Sequence, residues 1–259
     1  PSEGNLPMLL RLRIGAQDPV RVRFESVRTK AALARAITPK LEMRAQDLLQ
    51  ALNDPALLRK LGFTPETAML LFLPDTYELW WNTTPEQLLH RMKGAYNRFW
   101  TAQRKAQADS LGFTQTEVGI LASIVEAETY RNSEKDTIAG VYINRMQQGM
   151  PLHADPTVVF AHQDFSIRRV RKGHLEIESP YNTYKYKGLP PGPINCPTKT
   201  SLRATLHAAD HPYLYFCAEP AFEGERLGYH QFARTFEQHL RNARRYQRAL
   251  NREERKARR

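Results

Sequence analysis

The chain has 259 residues, of which 41% are hydrophobic and 10% aromatic, as in a globular protein with one large domain or a main domain and a small companion. Its 38 basic and 27 acidic residues give a net charge of +11, which favours an anionic partner such as nucleic acid, a membrane face or a charged cell-wall polymer. Its longest apolar run, Ala68 to Leu73, is far shorter than the roughly 18 residues of a membrane helix, and metal-ligand spacings and glycine-rich phosphate loops are missing, so the sequence predicts neither a membrane span nor a metal or other cofactor.

The first 68 residues are predicted to form a small α+β subdomain. Residues 20–25, VRVRFE, alternate apolar and charged side chains, which is typical of a half-exposed strand. Thr29 is placed to cap a short helix that runs through Ile37, and a second helix is predicted over residues 45–52.

The next stretch is LLFLPDTYELWWNTTPEQLL, residues 70–89. Its Leu-Pro-Asp-Thr-Tyr segment is predicted to be a turn with exposed aromatic side chains, followed by a strand that ends at Trp81. Thr84 then caps a helix that has Pro85 in its first turn and runs towards Ala106.

Two further helices are predicted from their end signals. Thr114 and Glu117 form a capping box, which begins the helix that contains residues 121–129, LASIVEAET. The following helix begins near Ser133 and ends at Gly149, a usual C-terminal glycine.

The composition of the sequence changes after Gly149. Residues 151–195 are rich in Pro, Tyr, Asn and Gly with little helical periodicity, and long structured loops of this kind usually form binding surfaces. A strand is predicted over residues 213–218 and a closing helix over residues 232–250. The very basic end, residues 241–259, is most simply a solvated helix, because it has one aromatic residue to stack on a base; nucleic-acid binding is therefore not expected.

The chemistry is placed on the helix that contains LASIVEAET. Successive helical residues turn by about 100°, so Glu126 and Glu128 point to nearly opposite sides and cannot perform the same role. Glu128 continues the apolar stripe of Leu121, Ile124 and Val125, where burial raises the pKa of a carboxyl into the range of a general acid. The alternative is that Glu128 is a helix-end residue that reaches water or an arginine.

A tyrosine-rich segment is a candidate for sugar binding. Tyr181, Asn182, Thr183, Tyr184 and Tyr186 place aromatic faces beside hydroxyl and amide groups, a combination that stacks on sugar rings and bonds their hydroxyls. Taken alone, a tyrosine-rich segment of this kind more often packs on the hydrophobic core than binds a ligand.

Other polar residues are weaker candidates for substrate contact. Asp155 is a possible second carboxylate, although Asp-Pro-Thr, which ends at Thr157, is at least as typical of a turn or helix start. Asn144 and Arg145 are placed either to bond the substrate or to hold the neighbouring loop. The segment from Asp155 to Pro193 is expected to form one wall of a groove that ends at Glu128.

The two cysteines, Cys196 and Cys217, are compatible with a single disulfide but form no framework and no metal-ligand spacing.

The order of the motifs resembles one family. The ordered set is LPDTY (73–77), SIVEAET (123–129), YINR (142–145), ADPT (154–157), YNTY (181–184) and GLPPGPI (188–194). This set is similar to that of the MltG (YceG-like) family of endolytic murein transglycosylases, from roughly Val20 to the basic C-terminal helix. The resemblance places the catalytic glutamate at the second glutamate of SIVEAET, which is Glu128.

The resemblance also implies a fold, a reaction and a location. It implies an α+β fold with a small, LysM-like N-terminal subdomain, residues 1–68, ahead of a helical and β-hairpin catalytic domain, residues 69–259. It implies cleavage of nascent peptidoglycan glycan strands on the periplasmic side of the inner membrane, with cell-wall synthases as candidate partners. The chain starts at Pro1 rather than Met, so we expect the family's membrane anchor to lie upstream of it.

The resemblance further implies the use of one carboxyl. A hydrolase normally uses two carboxylates, whereas a lytic transglycosylase needs only Glu128 as acid and then as base, and leaves a 1,6-anhydro end on the MurNAc residue. Two alternatives remain at this point. One is a muramidase-like hydrolase that uses Asp155, and the other is a non-catalytic protein that binds peptidoglycan or assists its assembly.

Overall fold

The structure is a computed structural model that describes residues 18–219 and 228–257. The strands are β1 Val20–Phe24, β2 Asp75–Leu79, β3 Tyr215–Ala218 and β4 His230–Ala233. The α-helices are α1 Lys30–Ile37, α2 Ala45–Ala51, α3 Pro55–Lys60, α4 Pro85–Phe99, α5 Ala102–Ser110, α6 Gln115–Glu128, α7 Lys135–Gln147, α8 Asp155–His162, α9 Lys199–Leu206 and α10 Phe236–Ala257. Short 3₁₀ helices cover Thr38–Lys40, Ala68–Leu71, Asn132–Glu134 and Lys172–Glu176. The expected α+β fold is confirmed.

The predicted first strand and helix are confirmed. Strand β1 buries Val22 and Phe24 while the arginines between them stay exposed, as the alternating pattern requires. The Thr29 hydroxyl accepts a hydrogen bond from the Ala32 amide and caps α1. Strand β1 pairs antiparallel with β2, which lies beyond residue 68. The division into domains at residue 68 and the LysM-like character of the N-terminal subdomain stay predictions.

The predicted turn with exposed aromatics is wrong for Tyr77. Residues 75–79 are a strand, and Tyr77 lies buried on its inner face, where its hydroxyl donates to the Leu73 carbonyl at 2.5 Å. The strand ends at Leu79, two residues before the predicted end. Trp80 and Trp81, which follow it, are the exposed aromatic residues of this segment.

The predicted helix from Thr84 towards Ala106 is two helices. Thr84 caps α4 as expected, but this helix ends at Phe99, because Trp100 leaves the helical region with ψ 71°. The Thr101 hydroxyl then accepts from the Arg104 amide and begins α5. The hydrophobic periodicity continues across this break, so only the N-cap residue Thr101 signals in the sequence that a second helix begins.

Helices α6 and α7 follow the prediction, and α6 joins two hydrophobic clusters. Thr114 and Glu117 form the expected capping box. Val118 and Ala122 pack in the N-terminal cluster, whereas Leu121 and Ile124 pack in a second cluster with residues of α7. Packing on both sides fixes the position of α6 and therefore of its last residue.

The segment 151–195 is more regular than predicted. It contains α8 and a 3₁₀ turn at Lys172–Glu176, so the expectation of loop throughout is wrong. The helix-start interpretation of Asp155 is confirmed, since Asp155 is the first residue of α8 with Pro156 in its first turn.

The C-terminal third also differs from the prediction. Helix α9 was not predicted, although Thr198 is a usual N-cap and accepts from the Ser201 amide. Phe232 lies in β4 rather than in the closing helix, because β4 pairs antiparallel with β3 and α10 begins at Phe236. Within the described ranges no helix has both the length and the apolarity to cross a membrane.

The two cysteines are not joined: Cys196 is a buried free thiol and Cys217 a partly buried one.

Candidate active site

Glu128 is the last residue of α6, and the chain turns into an extended conformation at Thr129. Its side chain is partly accessible, and its Oε1 accepts a hydrogen bond from the hydroxyl of Tyr142 on α7. Tyr142 is buried, and its ring packs edge-on against Phe216 of β3 with centroids 5.8 Å apart. Among the residues that the structure describes, one buried donor therefore holds the carboxyl.

The environment of Glu128 favours its protonated form. Burial raises the pKa of Glu128 to about 7; the Tyr142 hydrogen bond acts in the opposite direction, and the charge of Asp155 adds to the rise. The expected upward displacement of this pKa is confirmed. Near neutral pH a substantial fraction of Glu128 carries a proton, so the group can serve as a general acid.

Glu126 lies in the opposite environment. Burial alone would raise its pKa, but hydrogen bonds from Ser201 and Thr198 and the charge of Lys135 hold the pKa of Glu126 below its usual range. The Thr198 hydroxyl and the Lys135 ammonium lie 2.6 and 3.1 Å from Oε2 of Glu126. Glu126 is thus a fixed anion that ties α6 to α9 and α7, so the two glutamates lie in different environments, as the helix-face argument predicts.

A cavity of about 430 Å³ opens on one side of Glu128. Tyr184 forms part of its wall, and its hydroxyl donates to Asp155 Oδ1 at 2.6 Å. The His153 ring is stacked on Tyr184 with centroids 4.6 Å apart, and His153 holds a left-handed backbone with φ 52°. The other aromatic and histidine residues of the lining are Tyr142, Tyr215, Phe216, His230, Phe236 and His239. Aromatic faces beside a few polar groups suit a sugar ring.

A second cavity, of about 440 Å³, opens on the other side. Glu128 and Asp155 line both cavities, so the two adjoin at these carboxyl groups. A third cavity, of about 450 Å³, shares Arg28 and Phe160 with the second and includes Tyr181 and Pro193. The three cavities form a row, called here the cleft, and Glu128 lies within it rather than at its end.

The loop that follows YNTY is anchored on α6. The amide of Ile194 donates to the Ser123 hydroxyl at 3.0 Å, and the Asn195 side chain donates to the Ser123 carbonyl at 2.7 Å. A β-carbon on Gly192 would lie 2.2 Å from the Glu66 carbonyl oxygen, so the close approach of this loop requires glycine.

The structure brings some predicted site residues to the cleft. Asp155 and Tyr184 line it beside Glu128. Tyr181 lines the third cavity and packs on Phe160 with centroids 4.8 Å apart. Their contact with substrate stays a prediction.

The other three predicted site residues bond the protein itself. Asn144 donates to the carbonyls of His211 and Tyr213 at 2.6 and 3.0 Å. Asn182 is buried and donates to two carbonyls in the 175–177 segment. Thr157 is buried, and its hydroxyl lies 2.8 Å from that of Thr183. These contacts hold the loops that form the cleft.

Sequence reasoning missed two residues beside Glu128. Tyr142 is fourteen positions away on the next helix, and its place in YINR is the only sequence signal for it. His153 precedes ADPT, and its stacking on Tyr184 depends on a contact across 31 positions that no local pattern encodes. Among the described residues no group of His, Cys, Asp and Glu side chains is arranged to hold a metal ion.

Comparison with known proteins gives a consistent result. A family model described as the YceG-like family matches residues 3–245. An endolytic murein transglycosylase of Bacillus subtilis is 42% identical over 122 residues, which cover 46% of this chain and 31% of that protein. One from Streptococcus pneumoniae is 31% identical over 150 residues, which cover 56% of this chain and 27% of that protein. The matched segments thus span less than a third of these relatives. The crystal structure of a putative YceG-like protein from Listeria monocytogenes has a TM-score of 0.71 at 26% identity and covers 93% of this chain and 81% of that one.

Proposed function

Because the chain belongs to the YceG-like family, we propose that it is an endolytic lytic transglycosylase that cleaves the MurNAc–GlcNAc bond of peptidoglycan glycan strands. Two relatives that carry the name endolytic murein transglycosylase support the substrate class. The observation that carries the proposal is the position of Glu128, a carboxyl with a pKa near 7 between two cavities of the cleft.

In the proposed reaction Glu128 first donates a proton and then accepts a different one. Protonated Glu128 donates to the glycosidic oxygen as the bond from the MurNAc anomeric carbon to that oxygen breaks. The resulting carboxylate then takes the proton of the MurNAc C6 hydroxyl, whose oxygen bonds to the anomeric carbon. The products are a 1,6-anhydro end and a free GlcNAc hydroxyl, Glu128 regains its proton, and no water is consumed. A pKa near the working pH serves both steps.

The shape of the cleft favours cutting within a strand. An endolytic enzyme must hold sugars on both sides of the broken bond, and cavities of about 430 and 440 Å³ flank Glu128. Aromatic residues in both, among them Tyr184 on one side and Phe160 on the other, offer faces for sugar rings.

A muramidase-like hydrolase is the second candidate, and Asp155 is the observation that favours it. Asp155 lines both cavities beside Glu128 and is positioned by the Tyr184 hydroxyl. A hydrolase would use it to activate water or to form a covalent intermediate.

Product ends separate the two reactions. Isolated glycan strands are digested with the protein, reduced with borohydride and analysed by mass. Anhydro ends resist reduction and lack one water, whereas hydrolytic ends are reduced. A majority of anhydro ends is expected, and a majority of reducible ends would refute the transglycosylase.

A non-catalytic binding protein is tested with matched variants. Glu128→Gln keeps the shape of the side chain but cannot donate the proton, so cleavage should fall by a factor on the order of 100 to 10,000 while strand binding persists. Glu78→Gln, at an exposed position of β2, is the control and should cleave normally. Equal product from Glu128→Gln and the control would remove Glu128 from the mechanism.

We also propose that this domain works on the periplasmic side of the inner membrane, attached through a segment upstream of this chain, and that cell-wall synthases are its partners. Fractionation of cells that express the natural gene, with protease added to intact spheroplasts, tests the location. Protection of the domain from the protease would place it inside the cytoplasm and contradict the proposal.

A further inference from the structure

A separate, strongly basic cavity of about 320 Å³ lies away from the cleft. It is formed by β2, α4, α5 and α9, and it shares none of its described lining residues with the three cavities of the cleft. Its cationic lining residues are Arg91, Arg98, Arg104, Lys199 and Arg203.

Asp75, the acidic residue of the described lining, is already paired. The Lys199 ammonium donates to Asp75 Oδ2, and the Thr76 amide donates to Oδ1 at 2.7 Å. The hydrogen bond from Lys199 and the one from Thr76 hold the pKa of Asp75 below its usual range. Asp75 therefore balances Lys199 and leaves the charges of the four arginines without a carboxylate in the lining.

Two of these arginines are held in place by the protein. The Arg104 guanidinium donates to the Phe99 carbonyl at 2.5 Å and lies over the Phe99 ring, 4.4 Å from its centroid. Arg91 lies over the Tyr77 ring at 5.7 Å. Stacking orients a guanidinium while its remaining N–H groups stay available.

The other two arginines have no partner in the described part of the chain. The side chains of Arg98 and Arg203 are exposed, and neither forms an ion pair or hydrogen bond with a described residue. Four like charges around one concave site repel each other, and an anion of high charge relieves that repulsion. Guanidinium groups match the paired oxygens of phosphate, which they bind through two parallel hydrogen bonds.

We propose that this basic cavity binds a multiply charged phosphate group, supplied either as a free diphosphate or as the headgroup of an anionic lipid. The cleavage reaction proposed above needs no such ligand, so this site is independent of it.

Binding measured on the whole chain tests the proposal. Pyrophosphate is titrated calorimetrically at low ionic strength into the wild type, into Arg98→Gln/Arg203→Gln, and into the control Arg21→Gln/Arg59→Gln. The control loses the same charge at exposed positions outside the cavity. Removal of two charge-assisted contacts should weaken binding by roughly ten- to a hundredfold in the cavity variant and leave the control unchanged. No binding by the wild type, or equal weakening in both variants, would overturn the site.

Vesicles then identify the source of the phosphate. Sedimentation with vesicles that contain cardiolipin, whose headgroup carries two phosphates, is compared with sedimentation with phosphatidylcholine alone and is repeated for the same three proteins. Vesicle binding that only the cavity variant loses assigns a lipid headgroup, whereas pyrophosphate binding without vesicle binding assigns a free anion. Far-UV circular dichroism and glycan cleavage by the cavity variant show that it is folded.

Discussion

Replacement of Glu128 by glutamine should abolish cleavage and at the same time stabilise the protein at alkaline pH. The folded-state pKa of Glu128 is about 7, against 4.5 for the carboxyl of an unperturbed glutamate. Between these values the folded protein binds the proton and the unfolded chain does not, so the free energy of unfolding falls as pH rises through this range.

The magnitude follows from that difference in pKa. It corresponds to about 3 kcal/mol for a fully buried group, and the partial exposure of Glu128 to the cleft reduces it to about 2 kcal/mol. Glutamine does not titrate, so Glu128→Gln keeps the stability that the wild type loses. Near pH 4.5 the two should unfold alike, and near pH 8.5 the variant should melt roughly 4 to 8 °C higher, at about 2–4 °C per kcal/mol for a chain of this size.

Thermal unfolding by circular dichroism at a series of pH values provides the assay, with Glu78→Gln as the control for the loss of one negative charge. The difference in melting temperature from the wild type should rise with pH for Glu128→Gln and not for Glu78→Gln. Two results would show that Glu128 is not held protonated. One is a melting temperature of Glu128→Gln below that of the wild type at alkaline pH, and the other is a difference in melting temperature that does not change with pH.

Four further outcomes are expected. Tyr142→Phe removes a hydrogen bond that lowers the pKa of Glu128, so the alkaline limb of activity should move to higher pH; a shift to lower pH would reverse the assigned sign. Glu126→Gln leaves the buried Lys135 without its partner and should lower the free energy of unfolding by about 3 kcal/mol; an unchanged urea midpoint would contradict this. Gly192→Ala drives a β-carbon against a backbone carbonyl and should lower the melting temperature, as calorimetry can measure. Cleavage should survive EDTA, since the proposed proton donor is a carboxyl; loss that added zinc restores would refute the mechanism.

Local signals in the sequence were sufficient for the helix that presents Glu128. The Thr114–Glu117 capping box defines where α6 begins, and the stripe of Leu121 and Ile124 predicts the face that enters the second hydrophobic cluster. Both are interactions within a few positions, which a periodic pattern encodes.

Contacts over long distances account for what the sequence did not predict. Asn182 looks like a sugar ligand beside two tyrosines, yet it is buried because nearby carbonyls need a donor. Phe232 suits a helix by its neighbours, but pairing of β4 with β3 places it in a strand. The cavity wall formed by Tyr215 and Phe236 likewise depends on the packing of α10 against β3.

The position of Glu128 at the end of α6 makes ionisation of its carboxyl unfavourable. A contact with a neighbouring residue offsets part of that cost. Carbonyl groups at a helix C-terminus carry partial negative charge and disfavour a carboxylate there, in addition to burial and the charge of Asp155. Among the described residues, only the Tyr142 hydrogen bond acts in the opposite direction, which keeps the pKa low enough for the carboxylate to form and take a proton back. Two residues earlier, Glu126 has three donors on one oxygen and is fixed as an anion. The difference in donors, rather than in residue type, therefore decides which glutamate can exchange a proton.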